Sequence, residues 1–232
     1  MRKVILSTDS TCDLNDSLKE KHHVNIRPLH ITLGDKQYMD GVDITPDDIY
    51  AHYQAQRVLP KTSAPNIAEF VEYFRQWTDQ GHEVVHLSIG SGISSSYQNS
   101  RIAATEVGNV YPIDTGNLST GIGLLVIEAA ERIAQGMPAT EIAKEIEELK
   151  TKVHASFIID SLTYLHAGGR CSALASLSAN LLNIRPCIEV DNTSGQMKVG
   201  KKYRGSLARV LKQYTQDKLE HCADIKKDRI FI

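Results

Sequence analysis

The chain has 232 residues and a formal net charge of −2, with 41% hydrophobic and 23% charged side chains. That length suits one large α/β domain or two smaller ones, and the balance carries no polybasic signature for nucleic acid or anionic membrane. No apolar run approaches the roughly 20 residues of a membrane span, and Met1-Arg2-Lys3 leads into a short strand rather than a secretory leader. Cys12, Cys171, Cys187 and Cys222 are scattered without a C-x-x-C pair, as expected of reduced, buried, cytosolic thiols. The histidines suggest no metal site: the adjacent pair His22-His23 points in different directions on any element.

Val4–Ser7 predicts a first strand ending in the polar cluster Thr8-Asp9-Ser10-Thr11. Open α/β sheets place ligands at the carboxyl ends of their strands. Asp13 suffices to cap the following helix, Leu14–His22, which leaves Asp9 and Ser10 as candidate site residues. Asn25–Leu33 alternates as one strand. After a polar stretch, Thr45-Pro46-Asp47-Asp48 carries a cap, a proline and acids at a helix start. Leu59–Pro65 is bracketed by prolines that hold Thr62 and Ser63 extended. Ile67, Phe70, Val71, Phe74 and Trp77 recur at helical spacing and predict a core-facing stripe.

Val84–Ala104 is the stretch around which the chain is arranged: a buried strand to Ile89, a small-residue turn at Gly90–Ser96, then a helix from Tyr97. Ser91, Ser94, Ser95 and Ser96 put four hydroxyls in six residues, with no charged side chain among them. A helix N-terminus favours an anion through its unpaired N–H groups and its dipole, and hydroxyls add neutral donors. One serine fits a plain helix cap; four point to an anionic head group gripped by the turn.

Sharper motifs fit less well. A P-loop needs Gly-Lys-Ser/Thr, and a nucleophile elbow needs glycines flanking one serine, so a serine hydrolase is disfavoured. Gly90-x-Gly92-x-x-Ser95, with Asp114 about 20 residues on, is a near-match to a dinucleotide fingerprint lacking its third glycine. An NAD-dependent oxidoreductase is therefore the rival reading.

Asn109–Asp114 is a further strand, followed by helices at Gly121–Ala134 and Ala139–Lys150. The alternation of strands and helices predicts a mostly parallel sheet covered on both faces. The pattern changes near Lys152: a strand at Phe157–Ile159, a short helix at Leu162–His166, the turn Gly168-Gly169-Arg170 and a helix at Ser172–Leu182. Pro186–Val190 and Met197–Lys202 form a hairpin around Asn192–Gly195, and Ser206–His221 is a last helix. Arg229–Ile232 begins a strand at the end of the chain, which suggests a C-terminal truncation. Arg170 offers a planar fork for carboxylate or phosphate, whereas Lys201, Lys202 and Arg204 read as a solvated strand edge. The expected architecture is α/β in two domains, residues 1–152 around a mostly parallel sheet and residues 153–232 around a mixed one.

Taken together, these segments resemble the DegV family of bacterial fatty-acid-binding proteins. The resemblance rests on Thr8-Asp9-Ser10, Thr62-Ser63-Ala64-Pro65, Ser91–Gln98, Asp114-Thr115, Leu165–Arg170 and Leu181–Pro186, in the family's order across essentially the whole chain. It implies one long-chain fatty acid enclosed between two domains. In some members the protein is the acyl-carrying subunit of a fatty acid kinase, presenting the carboxylate to an ATP-binding partner. It implies a carboxylate held on Thr62, Ser63, Ser91, Gly92, Ser94, Ser95 and Ser96. Arg170 and Gly169, with Asp9 and Ser10, would lie in the head-group region or against the kinase. No cofactor is implied, and the chain is expected to be a cytoplasmic carrier rather than an enzyme by itself. The sequence departs from the family's Leu-Ser-Gly-Thr-Tyr at Ile93–Tyr97 and from its Gln at Ala64. The family's C-terminal segment with a head-group histidine has no counterpart here.

Overall fold

A computed structural model describes residues 2–161, 163–169, 184–221 and 224–231. In chain order the elements are β1 (Val4–Asp9), α1 (Asp16–Lys21), β2 (Asn25–Arg27), β3 (His30–Leu33), β4 (Lys36–Met39), α2 (Pro46–Gln56), β5 (Lys61–Ser63) and α3 (Ile67–Thr78). They continue with β6 (Glu83–Ser88), α4 (Ser96–Val107), β7 (Val110–Asp114), α5 (Thr120–Ala134) and α6 (Ala139–Leu149). Then follow β8 (Ser156–Ile158), α7 (Thr163–Gly168), β9 (Ile184–Val190), β10 (Met197–Arg204) and α8 (Leu207–His221).

The expected α/β architecture is present. Four parallel strands, ordered β2-β1-β6-β7, form the central sheet. Successive residues of a strand face opposite sides, so Val84 packs with Phe70 and Phe74 of α3 and Ala103 of α4. Val85 and Leu87 face the other way, into a larger core with Ile122 and Leu125 of α5 and Ile142 and Ile146 of α6. A buried parallel strand reads as a near-continuous apolar run for this reason. The second sheet, β10-β9-β8, is antiparallel throughout its described strands.

The third sheet, β4-β3-β5, was not expected. Asn25–Leu33 is two strands rather than one: β2 joins the parallel sheet, Pro28 and Leu29 break the run, and β3 turns away into an antiparallel hairpin with β4. A proline cannot donate to a ladder, which explains the break. Gly34, with φ of 61°, closes that hairpin, as a glycine does at the first central position of a tight turn.

Other boundaries moved for local reasons. β1 runs on to Asp9, so Thr8 and Asp9 are buried strand residues and not the start of a loop. Asn15, not Asp13, caps α1, its side chain accepting from the Leu18 N–H at 2.9 Å. Residues 224–231 form turns rather than the expected strand. There Arg229 and Lys226 pair with Glu128 of α5, and Arg229 also reaches Glu131. The expected helix Ser172–Leu182 lies outside the described residues.

Candidate head-group site

The chain leaves β1 toward β2 on one side and, later, enters β6 and β7 on the other, so the strand order reverses between β1 and β6. The crevice at the carboxyl ends of such strands is where open α/β sheets bind ligands. The hydroxyl turn occupies that place, joining the end of β6 to the start of α4.

Two acids from the flanking strands brace it. Asp114, ending β7, accepts the Ser91 and Gly116 N–H groups on one oxygen, each at 3.0 Å. Asp9, ending β1, accepts the Ile89 N–H and the Ser96 hydroxyl, both at 2.9 Å. These bonds sort the turn's serines. Ser96 is fully buried and its hydroxyl hydrogen is committed to Asp9, so it is a fastening of the turn and not a ligand donor, contrary to expectation. Ser94 is half-buried and its Oγ accepts the Ser96 N–H at 3.2 Å, leaving its own hydrogen to donate. Ser91, Gly92 and Ser95 are exposed, and Ser95 precedes the helix without a side-chain cap bond.

Thr62 and Ser63 are exposed on β5, opposite Ile31 and His30 of β3. The Pro65 carbonyl just beyond accepts from the Asn99 side chain of α4 at 2.8 Å. This contact ties the β5 segment to the helix that the turn opens. Asp9 is fully buried and Ser10 donates to Asp40 at 2.7 Å while accepting from the Leu29 N–H. These two residues, expected in the head-group region or against a partner, bond to neighbouring elements: Asp9 to the turn, and Ser10 to Asp40 and Leu29. Gly169 is exposed after α7 with φ of 68°; Arg170 lies outside the described residues.

Sequence reasoning missed what the glycines do. A Cβ at Gly92 or Gly116 would overlap the backbone of Ser194 or Asn192, and one at Gly90 would sit 3.1 Å from the Gly195 Cα. The tip of the β9–β10 hairpin therefore seats directly on the turn, fastened by Asn192 to the Thr151 and Val153 carbonyls at 2.8 and 2.9 Å. The backbone space that a dinucleotide's pyrophosphate needs over Gly90 and Gly92 is filled by the chain itself. The oxidoreductase reading fails on that point.

Beneath the turn lies an arrangement that spacing could not show. Ser7 Oγ is 2.8 Å from His86 Nδ1, and His86 Nε2 is 3.6 Å from Asp9 Oδ1. The residue types are those of a hydrolase triad, yet all three side chains are fully buried, under Phe70 and Phe74 rings 5.4 and 5.3 Å from the imidazole. A nucleophile must reach its substrate; this one is sealed. Burial likewise pushes the Tyr73 phenol and the Cys12 and Cys187 thiols above their ordinary pKa values. Among the described residues no group of three or more His, Cys, Asp or Glu could hold a metal ion. His82 and His86, four apart in sequence, flank and enter a strand, where that spacing does not form a helical pair.

The DegV family model of uncharacterised proteins matches residues 3–224. The chain belongs to the DegV family. A DegV domain-containing protein of Clostridium perfringens is 32% identical over 208 residues, covering 89% of this chain and 74% of that protein. A stearic acid-binding protein of Eubacterium ventriosum has 28% identity and a TM-score of 0.85 over 98% of this chain and 79% of its own. A fatty acid binding DegV family protein of Streptococcus agalactiae gives 30% and 0.83 over 97% and 80%. The Thermus thermophilus DegV protein, also described by its fatty acid binding, gives 28% and 0.81 over 93% and 78%. The chain folds like proteins described by their fatty acid binding, and its uncharged, serine-rich turn lies at the switch point of the parallel sheet. No helix among the described residues is long and apolar enough to cross a membrane.

Proposed function

We propose that this DegV protein binds one long-chain fatty acid, with the carboxylate on the hydroxyls of Thr62, Ser63, Ser91, Ser94 and Ser95. One observation carries the reading: the fold matches a stearic acid-binding protein over 98% of the chain. The Ser91–Ser95 turn and the β5 hydroxyls, tied together through Asn99, supply the donors that such a ligand requires.

The acyl chain runs, in this reading, along the C-terminal sheet. There Ile188 is fully buried, while Phe157, Ile159, Met197 and Val199 around it are only half-buried. Each methylene removed from water contributes about 0.8 kcal/mol, so the chain supplies affinity and the hydroxyls supply orientation. The division into domains at residues 152 and 153 belongs to the same proposal, as does a cytoplasmic location.

The protein acts as a carrier that presents the carboxylate to an ATP-dependent fatty acid kinase, with Arg170 and Gly169 on the partner side. Neutral donors suit that role. A tight arginine or lysine pair would stabilise the ground-state carboxylate, whereas hydroxyls leave an oxygen able to attack phosphorus. Native mass spectrometry of the purified chain tests the binding: one acyl chain per protein is expected, and a protein that remains empty after incubation with stearate overturns it.

A further inference from the structure

Asp9 sits at the switch point, and its carboxyl holds both feet of the hydroxyl turn. Oδ2 accepts the N–H of Ile89, the last residue before the turn, and Oδ1 accepts the hydroxyl of Ser96, the first residue of α4. The residues between, 90–95, thus form a loop closed on one side chain. The Ser96 N–H then passes to Ser94 Oγ at 3.2 Å, so a bonded path runs from the sheet to the half-buried hydroxyl. His86 Nε2, which has no hydrogen-bond partner among the described residues, stands behind Oδ1 at 3.6 Å.

A simple cap needs one acceptor for one backbone donor. Asp9 supplies two acceptors to donors seven residues apart in the chain, Ile89 and Ser96. An asparagine of the same shape has one acceptor and one donor, and would reverse the sense of one of these bonds. We propose that Asp9 is a positioning residue for the head group: by clamping Ile89 and Ser96 it fixes the direction in which Ser94 donates. The inference rests on the carboxylate-binding reading above.

The test uses the full chain and compares affinity for palmitic acid with affinity for its methyl ester, by competition against a fluorescent fatty acid. The native protein is expected to prefer the acid. Asp9→Asn and Ser96→Ala are each expected to reduce that preference about tenfold, and the double variant no further than the stronger single one. Asn15→Ala, which removes the cap of α1 and so weakens folding elsewhere, is expected to leave the preference unchanged. General destabilisation would lower both affinities together and leave their ratio alone.

If the native protein prefers the acid and both variants keep that preference within about twofold, the positioning role of Asp9 is overturned. If the native protein shows no preference, the carboxylate reading itself falls, whatever Asp9 does. Should Asp9→Asn not fold, Ser96→Ala removes a single oxygen atom and decides the question alone.

Discussion

Ser94 is the side chain on which the head-group reading bears most directly. Its oxygen already accepts the Ser96 N–H, which sets its orientation before any ligand arrives. A hydrogen bond to a charged group contributes about 1.5–3 kcal/mol, so Ser94→Ala should weaken fatty acid binding by roughly ten- to a hundredfold with little change in melting temperature. A fluorescent fatty acid titration checks this. Ser7, His86 and Asp9 make the opposite case, a reactive-looking set enclosed in the core. A fluorophosphonate probe is expected to leave Ser7 unlabelled in the native protein, read by intact mass. The sequence displayed the serines of the turn clearly because they interrupt an apolar run with no charge. It could not separate Ser94 from Ser96, because that distinction depends on Asp9, 87 residues from Ser96 in the chain and adjacent only in the sheet.

The glycines of the turn make room for the hairpin tip. Gly92→Ala would force Ser194 and Gln196 of the hairpin tip away from the turn. Overpacking of this kind costs about 1–3 kcal/mol, and it should appear as a lower melting temperature with faster hydrogen exchange at Thr193–Gln196. The segment after α8 is held by charge. Partial burial opposes ionisation of Glu128, but hydrogen bonds from Arg132, Lys226 and Arg229 prevail and hold its carboxyl at about 2 in place of the usual 4.5. A carboxyl lowered on folding stabilises the fold above its unfolded pKa and loses that contribution as protons bind. Release of residues 224–231 from α5 is therefore expected as pH falls from about 4.5 toward 2, measured by pH-dependent limited proteolysis. Strands and helices with strong apolar periodicity were legible: β6, α3, α5 and α6 fall within a residue or so of expectation. β4 was not, because Lys36–Met39 is a mostly exposed edge strand with no buried face to mark it.

The molecule joins a doubly covered parallel sheet to an antiparallel one in part at the hydroxyl turn, where the β9–β10 hairpin tip is seated. That convergence explains why the turn lacks charge: the glycines admit a second backbone, the acids on either side take the amides, and only the outward hydroxyls remain to donate. The likeness to fatty-acid-binding relatives extends over 93–98% of the chain in the structures compared, so ligand class and geometry can be tested together. The decisive measurement is the affinity of the native chain and of a Thr62→Ala, Ser94→Ala double variant for a long-chain fatty acid and for its methyl ester. If these hydroxyls seat the carboxylate, the native chain binds the acid far more tightly than the ester, and the double variant binds the two alike. Equal preference for the acid in both proteins would place the head group elsewhere and contradict the account.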